Sequence, residues 1–138
     1  MGVINELYDD ARERLLNAQL NWPTLSFRML AYTGNPDTSF NASHLTQANL
    51  GTPYAVSQVL LNPITGVGGY ARSSAALFTA IPIGTDVTFF VLAQDNATPT
   101  ARRLIAYLSE LSMLPFTPNG GDYLVKPDWL FSQGWFRA

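Results

Sequence analysis

Hydrophobic positions recur at steps of three and four over residues 4–20. Ile4, Leu7, Tyr8, Ala11, Leu15 and Ala18 fall on one side, while Glu6, Asp9, Asp10, Glu13 and Arg14 fall mainly on others. That spacing follows the turn of an α-helix and predicts an amphipathic one. Asn5 stands where a cap is needed, the acids gather in the first turns where the helix dipole favours them, and Asp10 and Arg14 make an i,i+4 pair. Trp22-Pro23 is the expected end, because proline disfavours helical geometry in the residue before it.

Beyond the proline the period drops to two, the signature of extended chain. In residues 24–32, Leu25, Phe27, Met29 and Ala31 alternate with Ser26, Arg28 and Tyr32, which predicts a half-buried strand. Gly34-Asn35-Pro36-Asp37 is dense in turn formers, and residues 39–52 read as a long polar loop with a short helix near 43–48. Further strands are expected at 54–61, 76–80, 102–109 and 123–126, with a last one in the tail over 129–136. Residues 86–94 are apolar on both faces, through Val87, Phe89, Phe90, Val91 and Leu92, and predict the central and most buried strand. Residues 104–111 fit a helix by propensity as well as a strand.

Short strands separated by turns, with no helices alternating between them, predict a mainly β fold. The expected architecture is one domain over residues 1–138, with a helix at about 4–20 followed by an antiparallel β-sandwich or barrel-like body at about 24–137.

Composition narrows the function. Asp, Glu, Lys and Arg supply 13% of the 138 residues, against a usual share of about 25%. Charge keeps soluble monomers apart and is depleted at the centres of interfaces, so this surface is expected to be partly covered in use, by copies of the same chain among others. A net charge of -2, with the basic residues scattered, gives no stripe for nucleic acid. The absence of cysteine excludes disulfides and thiolate chemistry. The start Met1-Gly2-Val3-Ile4-Asn5-Glu6 lacks the basic and apolar regions of a signal peptide, and no uncharged apolar run reaches membrane-spanning length. A soluble protein made in the cytoplasm is the expectation.

Little in the chain suggests catalysis. His44 is the sole histidine and lies in no motif, and Gly66-Val67-Gly68-Gly69 lacks the Lys-Ser/Thr ending of a phosphate cradle and reads as a hairpin connection. Asp9-Asp10 and Glu13 read as solvated helix charges, and no spacing suits a metal. Asn41-Ala42-Ser43 and Asn96-Ala97-Thr98 match the glycosylation sequon but read as turns, as does Pro118-Asn119-Gly120-Gly121-Asp122. Trp129, Phe131, Trp135 and Phe136 form an aromatic group near the end of the sequence. Such residues serve cores and interface hot spots alike, and these four are the candidate protein–protein contacts.

Two segments resemble a family of small structural proteins of tailed bacteriophages. Residues 8–22 (YDDARERLLNAQLNW) are similar to that family's opening helix, with its Ala-Arg-x-x-Phe/Leu-Leu pattern and closing Asp/Asn-Trp step. Arg103-Leu104-Ile105-Ala106-Tyr107-Leu108, followed by Leu114-Pro115-Phe116-Thr117-Pro118-Asn119-Gly120-Gly121-Asp122, resembles its Leu-Ile-Ala-Tyr-Ile and Leu-Pro-x-Thr-Pro-Asn-Gly-Gly-Asp block. Asp86-Val87-Thr88-Phe89 resembles one of its strands. Residues 33–85 match loosely and residues 129–138 depart from the family's ending. The resemblance implies a non-enzymatic virion protein without cofactor. Its expected role is a capsid decoration or cement protein on the head surface, bound to the major capsid protein and to copies of itself as a homo-oligomer. Symmetry suits a homotrimer at a threefold position. A neck, tail or fibre component, including a carbohydrate-binding module, is the alternative.

Overall fold

The computed structural model describes residues 6–35, 39–65, 70–108, 114, 117–125 and 135–137. In chain order the elements are β1 (Glu6–Leu7), α1 (Asp9–Leu16), β2 (Phe27–Tyr32), the 3-10 turn η1 (Gln47–Asn49), β3 (Ala55–Val56), β4 (Ile64–Thr65), β5 (Tyr70–Arg72), β6 (Ala76–Phe78), β7 (Phe89–Gln94), the 3-10 turn η2 (Pro99–Ala101), β8 (Arg103–Leu108), β9 (Tyr123–Val125) and β10 (Phe136–Arg137). The fold is mainly β and antiparallel, with one α-helix near the start, as the period change predicted. A five-stranded sheet runs β1-β8-β7-β2-β3, beside a three-stranded sheet β10-β5-β4 and a pair β6-β9. Among the described residues the strands do not close into a barrel.

β7 lies at the centre of the large sheet, and Phe89, Phe90, Val91, Leu92 and Ala93 are all buried. An apolar run without polar alternation can satisfy itself only where both faces are covered, which is the reason this segment takes the middle position. β8 pairs with it from Phe90↔Leu108 to Gln94↔Arg103. The helical alternative fails over residues 104–108, whose backbone groups serve the ladders to β7 and β1, and residues 109–111 lie outside the described residues.

The β7–β8 register shifts between Leu92 and Ala93, which face Ala106 and Leu104 and leave Ile105 as the additional residue. This bulge moves Leu104 and Tyr107 onto the same face despite their three-residue spacing, and both pack in the cluster of Tyr8, Leu30, Tyr32, Phe89 and Val91. The Ile105 carbonyl accepts the Tyr8 N–H at 3.0 Å, so the bulge also anchors the chain where it enters α1.

The expected half-buried strand at 24–32 is corrected. Leu25, Phe27, Met29 and Ala31 do share the larger core, but Leu30 and Tyr32 on the opposite face are buried as well. The loop that covers them supplies Phe40 and Leu50. Phe40 packs 5.2 Å from the Tyr8 ring and 5.1 Å from that of Tyr107. Polar composition concealed that this loop carries a lid for the sheet.

The larger core lies between the five-stranded sheet and the small ones. Phe90 meets Phe78 of β6 at 5.6 Å, and Val125, Leu60, Trp22 and Trp135 complete the layer. Residues 54–61 join the layers by bonding in two directions. Tyr54, Ser57 and Leu60 donate backbone N–H groups to Ala31, Met29 and Phe27, while Gln58 N–H and Leu61 C=O bond to Leu77 and Ser74. Only Ala55–Val56 of the expected strand keeps a regular ladder, because the rest of the segment turns from one sheet to the next.

The helix is shorter than predicted. Glu6 and Leu7 pair with β8, so α1 begins at Asp9 after Tyr8, whose side chain provides no cap, and the expected cap Asn5 lies outside the described residues. At the other end Ala18 adopts φ 56, and Gln19 N–H bonds Arg14 C=O at 2.7 Å while Ala18 N–H bonds Leu15 C=O at 3.3 Å. This is the Schellman arrangement, with alanine where glycine is usual. It stops the helix at Leu16, well before Pro23 acts.

Candidate contact surface

Several charged residues are turned inward. Asp10, only 8% exposed, receives the Arg103 guanidinium as a two-pronged pair, with Nε donating to Oδ2 at 3.0 Å and a second short bond from Nη2 to Oδ1. The bond to Asp10 raises the pKa of Arg103 above its ordinary value. Arg14 Nη1 lies 3.9 Å from the same carboxylate, and its Nη2 donates to Gln94 Oε1. Burial, more than the nearby Arg103, lowers the pKa of Arg14. The i,i+4 pair read from sequence is present, but the reading of Asp10 as a solvated charge is corrected: β8 packs against α1 and encloses it.

A second cluster stands beside the first at the β7–β8 connection. Arg28 donates through Nε to Asp95 Oδ1 at 2.9 Å and through Nη1 to the Ser57 carbonyl at 3.0 Å. Arg102, also buried, reaches the same Asp95 oxygen at 3.8 Å and donates to Gln47 Oε1 at 2.9 Å. Both carboxylates are held in ion pairs by these guanidinium groups. These partners are 67 and 93 residues apart for Arg28–Asp95 and Asp10–Arg103, so no local spacing in the sequence could announce them.

Outside these clusters the surface carries large apolar side chains. Ile83 is 72% exposed, Leu61 67%, Ile64 55% and Leu124 48%. They sit on β4, on β9 and in the connections before β4 and after β6. The sequence did not single them out, since Leu61 and Leu124 fall in expected strands and Ile64 and Ile83 stand among turn-forming prolines and glycines.

Of the aromatic group, Trp135 is fully buried. Its indole N–H donates to Ser73 Oγ at 2.7 Å, and its backbone N–H bonds Ala71 at 2.7 Å. It therefore belongs to the core and is withdrawn as a surface contact, because β10 pairing with β5 places its ring under the small sheet. Phe136 stands opposite Ala71 in that pairing. Trp129 and Phe131 lie outside the described residues.

His44 lines a cleft of about 730 Å³ together with Ser39, Asn49, Thr52, Tyr54 and Phe89. No carboxylate or second histidine is among the described residues lining it, and the Ser39 hydroxyl donates to the Asn35 carbonyl at 2.6 Å. Among the described residues lining the cleft, none stands beside His44 as the orienting acid of a hydrolytic triad. Among the described residues no cluster of three or more His, Asp or Glu side chains could hold a metal. The glycine run at 66–69 lies outside the described residues, and the strands on either side of it, β4 and β5, pair as the expected hairpin. Comparison with protein-family models, curated proteins and solved structures finds no match to this chain.

Proposed function

We propose that this chain is a structural subunit of a tailed-phage particle, a capsid decoration protein that stabilises the head by binding the major capsid protein and copies of itself. The observation that carries the proposal is the exposure of Leu61, Ile64, Ile83 and Leu124 on a chain with few charges, several of which are spent on internal pairs. Such a surface has little electrostatic repulsion to overcome and apolar area to bury. The resemblance of residues 103–108 and 114–122 to phage structural proteins supplies the identity of the partner. Several weak patches suffice on an assembled shell, where each contact raises the effective concentration of the next.

The reading is tested by omitting the protein during assembly. Heads should still form but lose resistance to heat and osmotic shock, and adding the purified chain should restore it. Heads of unchanged resistance, with tails missing, would instead place the subunit at the neck or tail.

The cleft around His44 supports a second reading, a carbohydrate-binding module. Tyr54 and the hydroxyl and amide groups of Ser39, Asn49 and Thr52 give a neutral lining of the kind sugars use. Saturable glycan binding that is lost in a Tyr54→Ala variant would favour it over decoration.

A further inference from the structure

We propose that Asn119 is a site of spontaneous deamidation, built into the turn that precedes β9. Of the nine asparagines in the sequence it alone precedes a glycine. The turn is exposed, and Gly120 adopts φ 84 with no side chain to shield its backbone nitrogen. The Asn119 side chain is folded over the following backbone, for its Oδ1 accepts the Gly121 N–H at 2.9 Å. The ring closed by that bond contains both reacting atoms, Asn119 Cγ and Gly120 N.

The chemistry is an internal acyl transfer. Gly120 N gives up its proton and bonds to Asn119 Cγ, the Cγ–Nδ2 bond breaks, and ammonia leaves carrying that proton in the net balance. Water then opens the five-membered imide. Addition at Cγ yields aspartate, and addition at the Asn119 backbone carbonyl yields isoaspartate. No electrons are exchanged, and water is the only co-reactant. Negative charge develops on Oδ1 during the attack, where the Gly121 N–H is already in place to stabilise it.

Conversion has a structural consequence. It introduces a carboxylate beside Asp122, whose Oδ1 accepts the Ala80 N–H at 2.9 Å, while the Gly121 carbonyl accepts Ile81 N–H at 3.1 Å. An isoaspartyl linkage also lengthens the main chain by one methylene just before these anchors, between them and the Thr117 hydroxyl that donates to Asp86 Oδ1 at 2.7 Å, loosening the junction of β6 with β9.

The test is peptide mapping of the folded full-length chain during incubation in mildly alkaline buffer, with mass spectrometry and isoaspartyl methyltransferase labelling. The peptide holding Asn119 should gain one dalton and give both products, at least about tenfold faster than peptides holding Asn41 or Asn96, each of which precedes alanine. A Gly120→Ala variant should slow the reaction. Because alanine is strained at that φ, parent and variant are also compared in urea, where the same order of rates is expected. Conversion of Asn41 or Asn96 ahead of Asn119, or an Asn119 that stays intact in the folded chain while the unfolded chain converts, would overturn the assignment.

Discussion

Arg103 on β8 holds Asp10 on α1 through both prongs of its guanidinium, with Nε to Oδ2 at 3.0 Å, so the helix is locked to the sheet by a pair spanning 93 residues of sequence. Removing the carboxylate leaves Arg14 facing Arg103 with nothing between them. A half-buried cation that loses its partner costs more than the pair itself gained. Asp10→Ala should therefore destabilise the fold by about 3 kcal/mol, read as a lower urea midpoint at unchanged slope. Arg103→Ala should cost less, because its side chain is 44% exposed and Arg14 still faces the carboxylate. The double variant should be less damaging than the sum of the two, and strict additivity would show the pair to be uncoupled.

Tyr8 is fully buried, and its hydroxyl has no hydrogen-bond partner among the described residues. Burial first, then the neighbouring Tyr107 and Tyr32, pushes its pKa well above the ordinary tyrosine value, and burial does the same to Tyr32. Below the unfolded value of about 10 both states are neutral and the contribution to stability is complete. Above it the unfolded chain ionises first, so stability is lost as pH rises beyond about 10. Tyr8→Phe should raise stability at neutral pH by about 1 kcal/mol, since an unpaired buried hydroxyl is removed. It should also make the alkaline decline shallower. Unfolding curves across the alkaline range measure both effects, and an unchanged alkaline limb would assign the decline to other groups.

The C-terminal stop of α1 gives a stabilising substitution. Ala18 holds φ 56, a region that penalises any Cβ, within a fully bonded Schellman turn. Ala18→Gly removes the penalty at some cost in unfolded-chain entropy, and a net gain of about 1 kcal/mol is expected from thermal or urea unfolding. A loss of stability would mean that the methyl group contributes packing.

These residues also mark how far the sequence was legible. β7 and β2 were readable because an uninterrupted apolar run and a period-two alternation are local properties of the chain. The ends of α1 were not, since β1 forms only by pairing with β8, and Ala18 gives no glycine signal for the left-handed stop. Asp10 was misjudged because polar neighbours imply solvent, whereas tertiary packing buried it, and Phe40 and Leu50 are apolar anchors whose place over the sheet no local pattern could announce. The candidate contacts divided likewise. Trp135 is of a type that serves cores and interfaces, with the core the favoured reading, and it is buried beside the β10–β5 pairing, whereas the exposure of Ile83 and Leu124 emerged only from the fold.

That division separates stability from assembly. Trp135→Ala empties a core position held by the Ser73 hydrogen bond and should cost about 3–5 kcal/mol, whatever the protein binds. Replacing Leu61, Ile64, Ile83 and Leu124 together by serine touches only exposed side chains, so each change should stay within about 0.5 kcal/mol of the parent in unfolding experiments. The same fourfold variant loses the apolar area available for burial against a neighbour. In co-sedimentation with heads assembled without the subunit, it should be retained far less than the parent while its circular dichroism spectrum is unchanged. Retention equal to the parent would show that these four residues do not form the contact. Failure of the parent itself to bind heads would remove the decoration proposal altogether.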